Sequence, residues 1–150
     1  MKRDTKTIGD LSEAVAIAAL VRAGYFVSIP LGENHRYDLV VEKGNVLSRV
    51  QVKTGRLREG AILFNCYSSH SHRAGPACRS YAGQVDYFAV SCPQVASVYL
   101  VPIEDAASLS GRLRVEAPKN GQIKNIRWAR HYLIGSLLAE VGMPAGHGVP

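Results

Sequence analysis

Arg36-Tyr37-Asp38-Leu39-Val40-Val41-Glu42, a turn at Gly44-Asn45 and a return through Val46-Leu47-Ser48-Arg49-Val50-Gln51-Val52-Lys53 decide how this chain is read. Both arms alternate in polarity and are crowded with β-branched residues, so each predicts a half-buried strand, and Gly-Asn between them predicts a type II′ hairpin. With a two-residue loop Lys43 faces Val46. Counting back along both arms sets Asp38 opposite Gln51, with Lys53 one diagonal step away, while Leu39, Val41, Val50 and Val52 take the other face. One face therefore gathers a carboxylate, a carboxamide and an ammonium. That grouping suits metal-assisted phosphodiester cleavage, in which oxygens hold a hard divalent cation and a positive group orients water or offsets transition-state charge. A cross-strand Asp–Lys pair on a solvated edge is the plainer alternative.

Asp38 followed by Gln51-Val52-Lys53, with Glu13 on a preceding helix, resembles the PD-(D/E)XK nuclease superfamily. Gly9-Asp10-Leu11-Ser12-Glu13, the Pro30-x-Gly32 turn and Arg36-Tyr37-Asp38 resemble its small branch that contains a cyanobacterial group I intron homing endonuclease and lies close to archaeal Holliday junction resolvases. Tyr81-x-Gly83-x-Val85-Asp86-Tyr87-Phe88 and Val98-Tyr99-Leu100-Val101-Pro102-Ile103 follow the pattern more loosely. Two positions depart from it. Tyr37 stands where a proline usually precedes the aspartate, and Gln51 stands where a second acid is common.

The resemblance implies an α/β domain over residues 1–141 with a restriction-endonuclease-like core, a central mixed β-sheet flanked by helices. It implies Glu13, Asp38, Gln51 and Lys53 as the catalytic set, and Mg²⁺ as cofactor, with Mn²⁺ able to substitute. Asp38 and the Val52 carbonyl would bind the metal, Glu13 directly or through water; Gln51 would position water at the cation and Lys53 would orient the nucleophile. Gln51 carries one negative charge fewer than the usual acid, which weakens metal binding. The implied activity is metal-dependent hydrolysis of DNA, in the first place as a site-specific, homing-type double-strand endonuclease. A Holliday junction resolvase acting on branched DNA is the alternative, and a non-catalytic DNA-binding module on a nuclease frame is the reading from another class. Cutting two strands takes two active sites, which implies a homodimer or homotetramer.

Composition sets bounds on all of this. A chain of 150 residues suits one domain, long enough to bury about two thirds of its unfolded surface. With 47% hydrophobic and 20% charged residues it is globular in composition, and no apolar run approaches the ~18 residues of a membrane span. The start, Met1-Lys2-Arg3-Asp4-Thr5-Lys6, predicts no secretory signal. Net charge +6 favours a polyanionic partner. Cys66, Cys78 and Cys92 are odd in number and unpatterned, which fits a reducing cytoplasm. The Gly/Pro-rich residues 142–150 predict a disordered tail.

Along the chain, residues 10–23 predict a buried helix ended by Gly24, with Glu13, Ala16, Ile17 and Leu20 toward the sheet. A capping box between Asp10 and Glu13 is the competing role for Glu13. After a strand over 25–29, a polar loop carries Asn34, His35 and Arg36; His35 reads as solvated, while Asn34 and Arg36 are placed to meet DNA. Arg56 and Arg58 are candidate phosphate contacts, or else a solvated turn. Residues 68–80, which carry Arg73 and Arg79, predict a mobile polar loop that orders along a DNA groove. Zinc at Cys66, His70, His72 and Cys78 is disfavoured by spacing that matches no closed structural site. Asp86 is expected to pair locally. Arg112 and Arg114 alternate on an edge strand. Lys119, Asn120, Gln122 and Lys124 form a basic, amide-rich loop that, with Arg127 and Arg130, could read bases and phosphates or be an ordinary hairpin loop. Residues 126–141 predict a closing helix that packs on the domain or on a second subunit.

Overall fold

Helix α1 (Thr5–Arg22) opens a computed structural model that describes residues 4–72, 75–106 and 110–136. It starts earlier than the apolar spacing predicts, because the Asp4 side chain accepts from the Thr7 amide at 2.8 Å and caps it. Asp10 therefore lies inside the helix, and no capping box ties Glu13 down. The end is the predicted one. Gly24 adopts φ +93°, its amide donates to Val21 at 3.1 Å, and the Tyr25 amide donates to Leu20 at 3.0 Å; these two bonds make a Schellman stop that needs a left-handed residue. Ser12, Ala16, Ala19 and Leu20 are buried while Leu11 and Val21 stay exposed, so one face packs and the helix is not buried all round.

Eleven strands are described. The main sheet has the order β1 (Phe26–Ser28), β2 (Leu39–Lys43), β3 (Val46–Thr54), β8 (Tyr87–Cys92), β9 (Ser97–Pro102), β11 (Leu133–Ser136). Only β3 and β8 run parallel, so the sheet is mixed. The β2–β3 register is as predicted, Lys43 opposite Val46 and Leu39 opposite Val50. The turn is not. Gly44 and Asn45 both take positive φ, 59° and 61°, the pattern of a type I′ turn rather than II′.

Alternation sends the two faces into two cores. Leu39, Val41, Val50, Val52, Ala89, Val98 and Leu100 meet α1 on one side. Phe88, Val90, Cys92, Tyr99 and Val101 meet Ile62, Phe64 and Leu113 on the other. Those three come from a second sheet of β10 (Ser110–Arg114), β5 (Ala61–Asn65) and β4 (Arg56–Arg58), in that order. Arg112 is exposed between buried Gly111 and Leu113, as the edge-strand alternation predicts. Gly111 sits opposite Phe64, and a Cβ built there would lie 2.1 Å from the Phe64 ring, so the ring takes the space a side chain would need.

Two further expectations fail. Residues 68–72 and 75–80 are not loop: β6 (Tyr67–His72) and β7 (Gly75–Ser80) pair antiparallel. A run of Ser, His and Arg has no apolar alternation by which to show it. Residues 126–136 are not the start of a closing helix either. A 3-10 turn over Ala129–His131 leads into β11, which takes the sheet edge beside β9. Gly135 lies against α1, where a Cβ would meet that of Ala19 at 3.4 Å; hydrogen bonding to β9 overrides the helical spacing. The rest of that expected helix, with the expected tail, lies outside the described residues.

Asp86 pairs, but not locally: its partner is Arg49, 37 positions back on β3. Its Oδ2 accepts from the Arg49 amide at 2.7 Å and from Arg49 Nε at 3.3 Å, joining β3 to β8, and these bonds hold its carboxyl below the usual range. A depressed folded pKa contributes stability above the unfolded value and loses it as pH falls through the lowered one. Since the pair is 40% and 41% exposed, Asp86→Asn is expected to cost only about 1 kcal/mol near neutrality after solvent screening. The cost should shrink below about pH 4, where wild type loses the same contribution, as urea midpoints at several pH values would show.

Candidate active site

β3 is longer than its neighbour. β2 begins at Leu39, opposite Val50, so residues 51–54 run on without a β2 partner and leave a notch in the sheet. Asp38 closes the corner of that notch. Its amide donates to the Val50 carbonyl at 2.9 Å, and its Oδ2 accepts from the Val52 amide at 2.9 Å. In an extended strand the N–H and C=O of one residue point the same way, so the Val52 carbonyl faces the Asp38 side. Gln51 and Lys53 project from the sheet face opposite α1, beside Phe88 and Val90 of β8.

α1 brings Glu13 to the same corner. The Ser12 and Thr54 hydroxyls are 2.6 Å apart, which fixes the first half of the helix against the overhang of β3. Glu13 is half-buried. Burial raises its pKa first, and the Asp38 and Asp10 carboxylates raise it further. Burial likewise raises Asp38, against the Val52 hydrogen bond and Lys53, which lower it. Burial lowers Lys53, against the pull of Asp38 and Cys66. A partly desolvated ammonium thus stands by the Asp38 carboxylate, whose charge in turn makes Glu13 harder to ionise.

The lysine is held. Its Nζ donates to the Tyr67 carbonyl at 3.0 Å and to Tyr81 Oη at 3.3 Å, and lies 4.7 Å from the Tyr81 ring centroid. Beside it, burial pushes the Cys66 thiol up to about 11, with Lys53 opposing, so the cysteine stays a protonated, buried thiol.

The family model of the PD-(D/E)XK endonucleases matches residues 3–134. This chain belongs to that family. The PD-(D/E)XK core here also has the fold of a bacterial homing endonuclease, I-Ssp6803I, with a TM-score of 0.71 and 21% identity over 87% of this chain and 89% of that one. No curated protein sequence matches the chain significantly.

PD-(D/E)XK nucleases generally use divalent metals, and the donors present suit one. Glu13, Asp38, the Gln51 amide and the Val52 carbonyl are all oxygen donors suited to a hard cation. Asp38 adds to the burial that raises Glu13, and that repulsion is what such a cation relieves. No cluster of three or more acidic, His or Cys ligands occurs among the described residues.

The candidate DNA contacts divide. Arg36 is occupied inside the protein: Nε donates to Gln84, Nη1 to Ser68, and Nη2 to the Ser80 and Arg79 carbonyls at 2.8 and 3.3 Å, with the guanidinium 4.2 Å from the Tyr81 ring centroid. A phosphate would have to displace those acceptors. Asn34, Arg56, Arg58 and Arg79 are exposed, and Arg73 lies outside the described residues. Arg112, Arg114, Lys119, Asn120 and Gln122 line one groove of about 730 Å³ with Arg127, alongside Glu59, Asp105 and Glu116. Lys124 is exposed near it, its carbonyl accepting from Gln122 Nε2 at 3.2 Å. Sequence reasoning placed Tyr81 only as part of a connector and missed its grip on Lys53; nothing in its local pattern marks a residue that touches one 28 positions away.

Proposed function

We propose that this PD-(D/E)XK nuclease is a Mg²⁺-dependent, site-specific endonuclease of the homing type acting on double-stranded DNA. The observation that carries the reading is the pairing of Glu13 with Asp38, whose carboxylate raises the Glu13 pKa on top of burial, with the partly buried Lys53 ammonium beside Asp38. Glu13, Asp38 and the Val52 carbonyl would hold the cation, with Mn²⁺ able to replace Mg²⁺. Bound there, it supplies positive charge against the phosphate as negative charge grows in the transition state. Gln51 orients the attacking water, and Lys53 directs its N–H toward the nucleophile or the scissile phosphate. Net charge +6 draws the polyanion in. The likeness in fold to I-Ssp6803I supports the homing-type reading of the substrate. Cutting both strands calls for a homodimer or homotetramer. The free thiols of Cys66 and Cys92 suit a reducing cytoplasm, and no helix among the described residues is long and apolar enough to cross a membrane.

The test sets a linear duplex library against an immobile four-way junction at millimolar Mg²⁺, with unfolding temperature followed against Mg²⁺ in parallel. Cleavage of one duplex sequence and a rise in unfolding temperature of a few degrees are expected, a tenfold excess over Kd being worth about 1.4 kcal/mol. Sequence-independent cutting of the junction alone would make it a resolvase. Tight DNA binding without any metal effect would make it a non-catalytic module.

A further inference from the structure

Tyr81 is 4% exposed and immobilised from several sides. Its ring meets Phe88 edge-on at 5.6 Å, the Arg36 guanidinium lies 4.2 Å from its centroid, and Arg36 is itself fixed by Gln84, Ser68 and two carbonyls of the β7 end. Such a ring can hold a partner in one place. What it holds is the Lys53 ammonium, by the hydroxyl at 3.3 Å and by the ring at 4.7 Å.

An ammonium has three N–H donors. The Tyr67 carbonyl takes one and Tyr81 Oη another. With two directions fixed, rotation about the Cε–Nζ bond stops and the third N–H has one heading. We propose that Tyr81 is the positioning residue of Lys53: its hydroxyl sets the direction in which the lysine presents its remaining donor to the reacting phosphate or water. This deepens the nuclease reading given above and rests on it for the word reacting, while the holding of the lysine stands independently. It also gives the β6–β7 pair a part in the site, since both acceptors flank it: Tyr67 begins β6, and Tyr81 follows the end of β7.

Tyr81→Phe tests this, because it keeps the ring and its contacts and removes only the hydroxyl, which accepts from Lys53 and also bonds Ser68. With the full chain and its DNA substrate under single-turnover conditions, the cleavage constant is expected to fall about tenfold or more, the loss that goes with one hydrogen bond to a charged group. DNA affinity and unfolding temperature should hardly move. Without DNA, nuclear magnetic resonance should show the two Lys53 ε-methylene protons as distinct in wild type, as in an ordered side chain, and merged in Tyr81→Phe. Lys53 protons that stay distinct in the variant, or a cleavage constant within twofold of wild type, would overturn the proposal. A wild-type protein that cleaved no DNA would instead sink the nuclease reading, and the resonance measurement would still decide whether Tyr81 holds the lysine.

Discussion

Replacing Asp38 with asparagine is expected to slow DNA cleavage at saturating Mg²⁺ by about a thousandfold, and Lys53→Met by a similar factor. Asparagine is nearly the same shape and its carbonyl can still accept from the Val52 amide, which Asp38 Oδ2 now does at 2.9 Å. What vanishes is the charge on a ligand that has no spare neighbour of its kind on the ribbon, because Gln51 is already neutral. The free protein should tolerate the change well. Burial raises the pKa of Asp38, which means that the folded state disfavours its ionised form; at neutral pH an uncharged side chain removes that cost, and the unfolding temperature should stay level or rise. The Mg²⁺-dependent rise in unfolding temperature should shrink in Asp38→Asn and persist in Lys53→Met, since only the first removes a ligand. Quenched-flow or gel assays on the cleaved duplex, with thermal unfolding alongside, would check both. Near wild-type cleavage in either variant would remove the residue from the active site.

Phe88→Ala should be the most damaging single truncation in the main core. Phe88 is completely buried on β8 and meets two aromatic rings edge-on, Phe64 at 5.9 Å and Tyr81 at 5.6 Å. Emptying a phenylalanine site costs about 3–5 kcal/mol, a large part of the roughly 5–15 kcal/mol that keeps a domain folded. For a chain of this size the unfolding temperature should drop by about 10 °C. Urea unfolding followed by tyrosine and tryptophan fluorescence would read it, and a loss below about 1 kcal/mol would show that the site collapses without cost. Phe88→Leu should cost far less, because it keeps most of the volume.

The hairpin was legible in the sequence because parity is a strong constraint: once Gly44-Asn45 is the loop, the face on which Asp38, Gln51 and Lys53 lie follows without further information. The end of α1 was legible at Gly24, and Asp86 was legible as a pairing residue, though its partner Arg49, 37 positions away, was not. Most of what escaped depended on distant chain. Leu133-Ile134-Gly135-Ser136 becomes a strand because β9 has a free edge and α1 leaves room for a glycine, facts that no window around residue 133 contains. The β6–β7 pair escaped because both of its arms are polar, and the earlier start of α1 because Asp4 caps a first turn with little apolar signal. The Arg36 clamp shows the same limit. An arginine beside a candidate active site looks like a DNA contact until its acceptors, 32 to 48 residues away, are seen around it.

Because a two-residue turn locks the register, the distance along the chain between Asp38 and Lys53 acts as a measuring stick. One residue inserted into either arm would turn part of that arm over and send the carboxylate or the ammonium toward α1. Two inserted into one arm would keep the faces but slide the groups apart by about 6.6 Å. Only matched lengthening of both arms preserves the pairing, so drift in this spacing has to come in even, symmetrical increments. A homologue with an odd difference there must carry a compensating bulge or have given up the chemistry.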